Sequence, residues 1–415
     1  MTNASSKPVI AYLAPGIPLL SATFVYEELL GVERRGISVI PITVRRPTEP
    51  ADAQADLAAR TLCVYDAPFL VIALSGLAGL PAFGTGALKA LRWLIADMAE
   101  VGVTRLSSWK LAFQMLAAVR LARLVRQYSC SHLHVHFAHV PAQIAMYASA
   151  LAGIPFTIVA HANDIFERPL LLLRKAERAT RMLTISEHNR QYLERLGIPK
   201  DRLAVVRCGV SFSETLKSPS TAEQGDFHIG TLGRMVEKKG FDVLIRAIAY
   251  LKTAGHKVKL RIAGDGPLKS ELALLVEDLD IVDITRFDGQ LHHHRVASWM
   301  RQLDIFVLAC KKDRNGDMDG IPVVLMEAMS QSVPVISTTL SGIPELVIHE
   351  STGLLAEPDD HYGLARQIAR MIESTDLRAA LTERAREHVM NEFGQANNLD
   401  RLIGHFGLQS RLDSI

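Results

Sequence analysis

A glycine-rich turn in the second half of the chain carries basic residues at a spacing that suits a phosphate. Gly230 and Gly233 end an apolar run, and Arg234 and Lys239 follow before Gly240. Glycines let the backbone approach a ligand closely, and the amides at a helix N-terminus attract phosphate. Arg offers a planar fork and Lys a point charge, so together they can reach a diphosphate. A solvated basic loop would show the same pattern, and the turn alone does not decide between the two.

A stronger pattern lies further on, in the segment Asp319-Gly320-Ile321-Pro322-Val323-Val324-Leu325-Met326-Glu327. Pro322 suits the start of a helix, where its missing N–H costs nothing, so Val323 and Val324 are predicted to present free amides to a phosphate. Asp319 precedes the helix and Glu327 lies inside it. Both carboxylates can point into one pocket and accept hydrogen bonds from sugar hydroxyls. A lone carboxylate in an apolar helix would be costly, which favours a ligand for Glu327.

These motifs lie between apolar runs that alternate with helix-length segments. The predicted strands are 8–14, 36–44, 132–138, 155–162, 181–186 and 203–210, then 227–234, 258–266, 284–290, 304–310 and 334–340. Such alternation is typical of βαβ units with a parallel sheet covered on both faces. The turn Gly264-Asp265-Gly266 ends one of these strands and is predicted to face the same ligand. The fold class is therefore α/β, with two doubly wound, Rossmann-like domains facing a central cleft, where open α/β folds bind ligands.

A polar, Ser/Pro-rich stretch divides the 415 residues into two domains of similar size. Residues 1–212 are predicted as the N-terminal domain, 213–226 as the linker and 227–385 as the C-terminal domain. Residues 386–415 are predicted as a helical tail that packs back on the N-terminal domain.

Composition excludes several classes of protein. The 46 basic and 44 acidic residues nearly cancel, so nothing marks a nucleic-acid binder, although the first 215 residues carry an excess of seven basic residues. Four widely spaced cysteines indicate neither a disulfide framework nor a zinc site and suit a reducing cytoplasm. The apolar segment near the first residues is too short to form the core of a signal peptide. Ala67–Leu88 is uncharged, but two prolines and four glycines favour a buried or membrane-skimming segment over a span.

The motifs of the second half resemble the nucleotide-sugar domain of retaining glycosyltransferases of family 4, which have the GT-B fold. The resemblance spans about Ile229 to Asp360 and includes PVISTTLSGIPELV and GLLAEPDD. It is fainter in the first half, where Ser21-Ala-Thr-Phe-Val, His134-Val-His136-Phe, Ala160-His161-Ala-Asn-Asp164 and VVRCGV are similar to the branch that builds bacterial exopolysaccharides such as colanic acid. The family usually has Glu where this chain has Asp319, a side chain one methylene shorter.

The resemblance implies a site for a UDP- or GDP-sugar in the C-terminal domain and an acceptor site in the N-terminal one. The implied donor-binding residues are Gly233, Arg234, Lys239, Gly264, Asp265, Gly266, Asp319, Gly320, Ile321, Pro322, Val323, Val324 and Glu327. Glu327 would hold the ribose hydroxyls, and Arg234 and Lys239 the diphosphate. Asp319 and the Gly320–Val324 amides would contact the sugar and the distal phosphate.

The implied catalytic residues are His161, Arg234, Lys239 and Asp319. His161 ends a predicted strand and would sit against the transferring sugar from the other domain. Retention in such sites is thought to need no protein nucleophile, because the leaving diphosphate oxygen can accept the acceptor's proton on the same face. The protein then stabilises the charge that develops on the diphosphate. No metal and no cofactor are expected, since the cations and helix amides neutralise that charge.

Three patterns mimic metal sites. Asp317-Met-Asp319 is a D-x-D string, but Asp319 already belongs to the acidic pair. The segment 313–324 opens like a calcium loop, yet Met318 and Val324 stand where glycine and glutamate are required. Two histidine groups, His132/His134/His136 and 292–294, show no carboxylate or cysteine partner in the sequence, so ordinary core or exposed histidines are favoured over zinc ligands.

The function that the resemblance implies is a hexosyltransferase-type enzyme of exopolysaccharide or cell-surface polysaccharide biosynthesis, acting on a saccharide or a polyprenyl-diphosphate-linked acceptor. The alternative is another GT-B enzyme of sugar nucleotides, an epimerase or a glycogen-type synthase. The first loop, Ala14-Pro15-Gly16-Ile17-Pro18, lacks the Lys that such synthases usually have. A Rossmann-type oxidoreductase would require G-x-G-x-x-G after a first strand, which neither half has.

Residues 86–127 alternate apolar clusters with basic residues. Their second half carries Lys110, Arg120, Arg123 and Arg126 and no acidic residue. One helical face is therefore predicted to be cationic, although a core helix with a solvated edge would look similar. Because an anionic inner leaflet and a lipid-diphosphate acceptor would both attract such a face, we predict a cytoplasmic protein in peripheral contact with the membrane.

Overall fold

The computed structural model describes residues 8–19, 22–47, 54–210 and 226–407. These residues form two compact units. The first contains the described chain up to Ile185, Arg190–Gly209 and the residues from Gln395 on, and the second contains Ser186–Asn189 and the described part of Val210–Gly394. Apart from Asp226, the predicted linker 213–226 lies outside the described residues.

The first unit is a seven-stranded sheet covered by helices. Its strands are β1 (Val9–Ala14), β2 (Ser38–Thr43), β3 (Leu62–Cys63), β4 (His132–His136), β5 (Phe156–Ala160), β6 (Arg181–Thr184) and β7 (Leu203–Val205). Its helices are α1 (Thr23–Arg34), α2 (Ala55–Arg60), α3 (Phe69–Gly79), α4 (Thr85–Val101), α5 (Leu106–Gln127), α6 (Val140–Ala152) and α7 (Leu172–Arg178), and the boundary between the units passes through α8 (Glu187–Arg195).

The second unit is a six-stranded sheet. Its strands are β8 (Phe227–Leu232), β9 (Val258–Ala263), β10 (Thr285–Gly289), β11 (Ile305–Val307), β12 (Val335–Thr338) and β13 (Leu354–Ala356). Its helices are α9 (Phe241–Thr253), α10 (Lys269–Asp278), α11 (His293–Met300), α12 (Val323–Ser330), α13 (Ile343–Leu346), α14 (His361–Glu373) and α15 (Thr375–Phe393). The last helix, α16 (Gln395–Gly404), belongs to the first unit.

Both sheets are parallel and doubly wound, as the alternation of apolar runs predicts. The strand orders are β3-β2-β1-β4-β5-β6-β7 and β10-β9-β8-β11-β12-β13. The order therefore reverses between β1 and β4 in the first sheet and between β8 and β11 in the second. Ligands of open α/β sheets bind outside the carboxyl ends of the strands at such a reversal, so these two places are where site residues should lie.

The predicted start of the C-terminal tail at residue 386 is wrong. Residue 386 falls inside the continuous helix α15, whose apolar residues Leu381, Ala385, Val389 and Phe393 are buried. They pack in the cores of the second unit, so the chain leaves that unit only after Gly394. Helix α16 follows with Leu399 and Leu402 buried, and it packs against α1 of the first unit.

Helix α5 is a core helix, and only part of the predicted cationic face is free on it. Leu111, Val119 and Leu121 are fully buried on it. Arg120 donates to the carbonyl of Cys63 and pairs with the carboxylate of Asp66. The neighbouring Arg126 donates to the Leu151 carbonyl at 3.1 Å and lies over the ring of Phe83. Two of the predicted membrane-facing arginines are thus engaged by other groups of the first unit, whereas Arg123 is exposed. No helix in the described ranges combines the length and apolar character that crossing a membrane requires.

Candidate active site

The loops after β8 and β11 bring the predicted phosphate-binding residues of the second unit together at the reversal of its sheet. Lys239 Nζ lies 2.8 Å from Asp319 Oδ2, although 80 positions separate the two residues in the sequence. The amide of Lys311 donates to the carbonyl of Lys238 at 2.9 Å, which ties the two loops through their backbones. Two sequence motifs that were predicted to act on one ligand therefore meet in the fold.

Glycines make the close approach of these loops possible. Gly240 adopts a left-handed backbone with φ 63°, and a Cβ there would lie 1.7 Å from the carbonyl oxygen of Ala309. Gly264 has φ 120°, and its Cβ would lie 1.9 Å from the carbonyl oxygen of Gly233. Only glycine fits both positions. The predicted turn at residues 264–266 thus packs directly on the turn at Gly233, where the Met235 amide also donates to the Asp265 carbonyl at 2.8 Å.

The ion pair of Lys239 and Asp319 is largely removed from water. Their side chains are 16% and 13% exposed, and the Cys310 thiol lies 3.3 Å from Asp319 Oδ2. Burial works against the charge on each residue. The opposite charge outweighs it, so the pKa of Lys239 is raised and that of Asp319 is lowered. Both residues are therefore charged at neutral pH, as binding of a diphosphate and of sugar hydroxyls requires.

A second lysine, which the sequence did not single out, joins the same cluster. Lys238 Nζ lies 2.7 Å from Asp317 Oδ2 and 3.7 Å from Asp319 Oδ1. Each carboxylate of the D-x-D string thus has its own ammonium partner. Asp313, at the start of the supposed calcium loop, accepts hydrogen bonds from the amides of Asn315 and Asp317 at 2.9 and 2.8 Å, so its carboxylate closes a turn.

Helix α12 begins directly after this cluster. Pro322 is its N-cap and not its first residue, so the helix starts one position later than predicted. Val323 and Val324 are therefore its first two residues, and such amides have no partner within a helix. Glu327 lies four residues after Val323, on the same face. Burial raises the pKa of Glu327 to about 7, and no other group shifts it.

Two predicted donor-binding residues are more open. Arg234 is exposed, and within the described part of the chain its guanidinium has no hydrogen-bonding or ion-pair partner. Asp265 is exposed too, but its carboxylate is already engaged by the amide of Gly266 at 2.7 Å and by Lys269 at 3.2 Å. Arg234 is thus free for a ligand, whereas the Asp265 side chain closes its own turn.

His161 lies in the first unit, immediately after β5. It is only 6% exposed, and burial lowers its pKa well below the ordinary value, so the imidazole is neutral. Its backbone amide donates to Asp164 Oδ2 at 3.1 Å, and the amide of Ala138 donates to the same oxygen. Asp164 therefore fixes the end of β5 against the end of β4. Burial raises the pKa of Asp164 to about 6.

A buried chain of polar side chains leads from β1 to His161. The Tyr12 hydroxyl donates to Glu28 Oε1 at 2.6 Å, and His136 Nε2 lies 2.9 Å from the same oxygen. His136 Nδ1 lies 3.3 Å from His161 Nε2. Burial alone would raise the pKa of Glu28, but His136 and His134 hold it well below its usual range. An ionised Glu28 thus anchors the chain, and in the described residues no group hydrogen-bonds the other ring nitrogen of His161.

Glu28 is also the carboxylate partner that the sequence did not reveal for the alternating histidines. Glu28 Oε1, His134 Nε2 and His136 Nε2 lie close enough together to hold a metal ion. His134 Nδ1 lies 2.7 Å from Thr157 Oγ1, and its Nε2 is 3.5 Å from Glu28. All three histidines of β4 are buried, so of the two alternatives the rings are core histidines and not exposed ones. That they bind no metal stays a prediction.

Comparisons with known proteins agree with this arrangement. Residues 212–388 match the family model for glycosyl transferases group 1, and residues 21–214 match that for glycosyltransferase family 4. A WcaL protein of Escherichia coli (strain K12), named as a glycosyltransferase of colanic acid biosynthesis, is 30% identical over 399 residues, 91% of this chain and 94% of that protein. AmsK of Erwinia amylovora, named for amylovoran biosynthesis, is 30% identical over 269 residues, 63% of this chain and 66% of that protein.

Solved structures show the same fold. Anabaena Alr3699/HepE, crystallised with UDP, superposes with a TM-score of 0.72 at 16% identity, covering 97% of this chain and 100% of that one. The outer core galactosyltransferase WaaB superposes with a TM-score of 0.67 at 15% identity, covering 97% and 99%. Two parallel α/β units of this kind define the GT-B class of glycosyltransferases. The chain belongs to glycosyltransferase family 4, which confirms the resemblance read from its motifs.

Proposed function

We propose that this glycosyltransferase moves a sugar from a UDP- or GDP-sugar to a saccharide or polyprenyl-diphosphate-linked acceptor in bacterial exopolysaccharide biosynthesis. The observation that carries the proposal is the cluster at the second sheet's reversal. There the buried pair of Lys239 and Asp319 lies directly before the free amides of α12. The names of the WcaL and AmsK relatives support the pathway class. The UDP complex of Alr3699/HepE supports the nucleotide.

In this proposal each residue acts on one part of the donor. Arg234, Lys239 and the amides of Val323 and Val324 neutralise the diphosphate as its bond to the sugar breaks. Asp319 accepts hydrogen bonds from sugar hydroxyls while Lys239 holds it ionised. Glu327 accepts hydrogen bonds from the ribose. The Asp265 side chain has no role here, because its oxygens already close a turn, so this position acts through its backbone.

Retention of the anomeric configuration follows in this scheme from attack by the acceptor on the same face that the diphosphate leaves. The leaving diphosphate oxygen takes the proton of the acceptor hydroxyl, and the new glycosidic bond forms on the face that the leaving group vacates. His161, a neutral imidazole, makes a hydrogen bond that strengthens as the sugar gains positive character. Metal chemistry is not needed in this scheme, because Lys239, Arg234 and the N-terminal amides of α12 neutralise the charge on the diphosphate.

Donor binding tests the proposal most directly. A ligand that binds only the folded protein raises its melting temperature. We therefore expect a UDP- or GDP-sugar to raise Tm by several degrees in the intact chain and not in the Glu327→Ala variant. Failure of UDP-, GDP- and ADP-sugars alike to shift Tm would contradict a nucleotide-sugar site.

Donor affinity should depend on pH through Glu327. Its pKa of about 7 means that the free protein carries it half protonated near neutrality. Ribose hydroxyls donate to the ionised form, so affinity should rise by up to about tenfold per pH unit below 7 and level off above it. Isothermal titration of the wild type between pH 5.5 and 8.5 measures this slope. Glu327→Gln should bind more weakly and show no slope, and an equal slope in this variant would remove Glu327 from the site.

Chelation should leave transfer intact. We expect full activity in EDTA and in the Asp317→Asn variant, because Lys238 and Lys239 already neutralise the D-x-D carboxylates. Initial rates with and without EDTA measure this. Activity that is lost in EDTA and restored by Mn²⁺ in the wild type but not in Asp317→Asn would establish a metal at that string. Activity restored in both proteins would indicate a metal at Glu28 and the β4 histidines instead.

The acceptor is the least defined part of the proposal. An enzyme that extends a lipid-linked saccharide must reach the membrane surface that carries it. We therefore propose that the protein works at the cytoplasmic face of the membrane in peripheral contact with it.

A further inference from the structure

The described residues expose large apolar side chains mainly in one short part of the first unit. Ten of the nineteen exposed large hydrophobic residues fall between Phe69 and Trp109, a tenth of the chain. Each is more than half exposed. They are Phe69, Leu70, Val71, Leu74, Leu77, Leu88, Ile95, Val103, Leu106 and Trp109, and together they are called the α3–α5 surface below. Monomeric proteins rarely expose so many apolar groups together, and such patches mark contact with a partner or a membrane.

Helix α3 contributes half of this surface and is apolar on every side. Leu70, Leu74 and Leu77 follow one another at helical spacing and point away from the protein. The opposite side packs on α5 so closely that a Cβ at Gly76 would lie 2.4 Å from the Leu116 carbonyl oxygen. A helix that is hydrophobic all round is normally buried in a core or in lipid. One face of α3 is buried in the core, and the other face lacks an apolar environment among the residues that the structure describes.

The neighbouring helices place further groups on the surface beside basic residues. Leu88 and Ile95 each lie about one turn from the exposed Arg92 on α4, on either side of it. Trp109 lies one turn before Phe113 on α5, and the Phe113 ring stacks on that of Phe69 at 4.3 Å. The indole of an exposed Trp suits the boundary between headgroups and acyl chains. The start of α5 and the start of α3 thus present aromatic and aliphatic groups together.

The net charge of this region is positive, because seven basic residues stand against two acidic ones. Between residues 67 and 127 the only acidic residues are Asp97 and Glu100. Asp97 is buried and accepts both guanidinium N–H groups of Arg178 at 2.7 Å. Glu100 pairs with Arg174 at 2.7 Å. The exposed basic residues of the same helices and of the turn that joins them, namely Lys89, Arg92, Arg105, Lys110 and Arg123, therefore face solvent without an acidic counterpart in this segment.

We propose that the α3–α5 surface docks onto an anionic phospholipid bilayer, with α3 lying in the plane of the interface. Apolar groups bordered by Lys and Arg are what such interfacial helices present to acidic lipids. A second copy of the chain is a poorer occupant, because a two-fold contact would set the same basic residues against each other. The inference rests on the proposed function only in that a lipid-linked acceptor gives the contact a purpose. It replaces the predicted face at Arg120 and Arg126 and keeps Arg123 among the basic residues of the surface.

Flotation of the full-length protein with vesicles tests the proposal. We expect binding to phosphatidylcholine vesicles with 30% phosphatidylglycerol, about tenfold less binding to phosphatidylcholine alone, and substantial release by 0.5 M NaCl. The variant Leu70→Gln/Leu74→Gln/Leu77→Gln should lose at least about tenfold in binding. Burial of apolar side chains supplies the part of the binding free energy that the attraction to anionic lipids does not. These side chains are already exposed, so the variant should keep the wild-type Tm.

The matched control is Leu274→Gln/Val282→Gln, which removes equally exposed apolar groups from the second unit. It should float like the wild type. Wild-type protein that does not float, or a triple variant that floats as well as the control, would overturn the proposal. A wild-type dimer in light scattering that the triple variant abolishes, without flotation, would assign the surface to a second copy instead. Nucleotide-sugar binding, measured by Tm in the same samples, shows separately whether the proposed function fails.

Discussion

Replacing Lys239 by Ala is expected to lower kcat for sugar transfer by a factor of about 10²–10³, the loss seen when one preorganised donor to a developing negative charge is removed. The ammonium is held 2.8 Å from Asp319 in a largely buried position, so it needs no reorganisation when the donor bond breaks. Lys238, whose Nζ lies 2.7 Å from Asp317 Oδ2, cannot replace it without leaving that partner. Initial rates with saturating donor and acceptor measure the effect.

A loss of activity could also reflect a loss of stability, and the structure offers a way to separate the two. Removing Lys239 leaves the buried carboxylate of Asp319 with only Lys238, 3.7 Å away, as an ammonium partner, which should lower Tm. The double variant Lys239→Ala/Asp319→Asn removes both charges and should recover most of the lost Tm, while transfer stays low. Lys252→Ala, which breaks an exposed pair with Asp283 on the same unit, should change neither quantity. Transfer that recovers with Tm in the double variant would show that Lys239 is structural.

The sequence predicts the sheets better than it predicts their edges and ends. The strands read as apolar runs are all present, because a parallel strand covered on both faces must be apolar along its whole length. The strands that escaped detection, β3 and β13, span two and three residues. Such short strands contain too few residues to show a hydrophobic pattern. They are recognised as strands only by their pairing with neighbouring strands in the sheet. The start of α12 was misplaced by one residue, because Pro322 is accepted both as the N-cap and as the first helical residue.

The residues of the candidate site also differ in how well the sequence reveals them. Lys239 and Asp319 could be read from the sequence because each belongs to a local motif, even though the contact between them is distant. Glu28 could not, since its partner His136 lies 108 positions away and neither residue has a motif that names the other. The helix α5 shows the opposite error. Its basic residues suggested a free face, but Arg120 and Arg126 reach carbonyl and carboxylate groups of segments that only the fold brings near.

Replacing His161 by Ala is expected to lower kcat about 10²-fold while KM for the donor changes less than about threefold, which is the pattern of an interaction made mainly in the transition state. The neutral ring is fixed by its contact with His136 and by Asp164 at its backbone. Since Glu28 is an ionised acceptor, His136 donates to it through Nε2–H, and when the His136 ring is neutral its Nδ1 accepts from His161. His161 then carries its proton on Nε2, and its other nitrogen is left as an acceptor for a ligand.

Because His161 packs among aromatic rings, with Phe137 at 4.5 Å and Phe24 at 5.1 Å between ring centroids, His161→Ala also creates a cavity. His161→Phe keeps the ring volume and should retain Tm, yet it should lose kcat to the same extent. Glu28→Gln removes the charge that sets the direction of the hydrogen bonds, so it should lower kcat less than His161→Phe and introduce a new pH dependence. If His161→Phe transfers at the wild-type rate, the ring nitrogen makes no contact that matters for transfer, and His161 belongs to the core of the first unit.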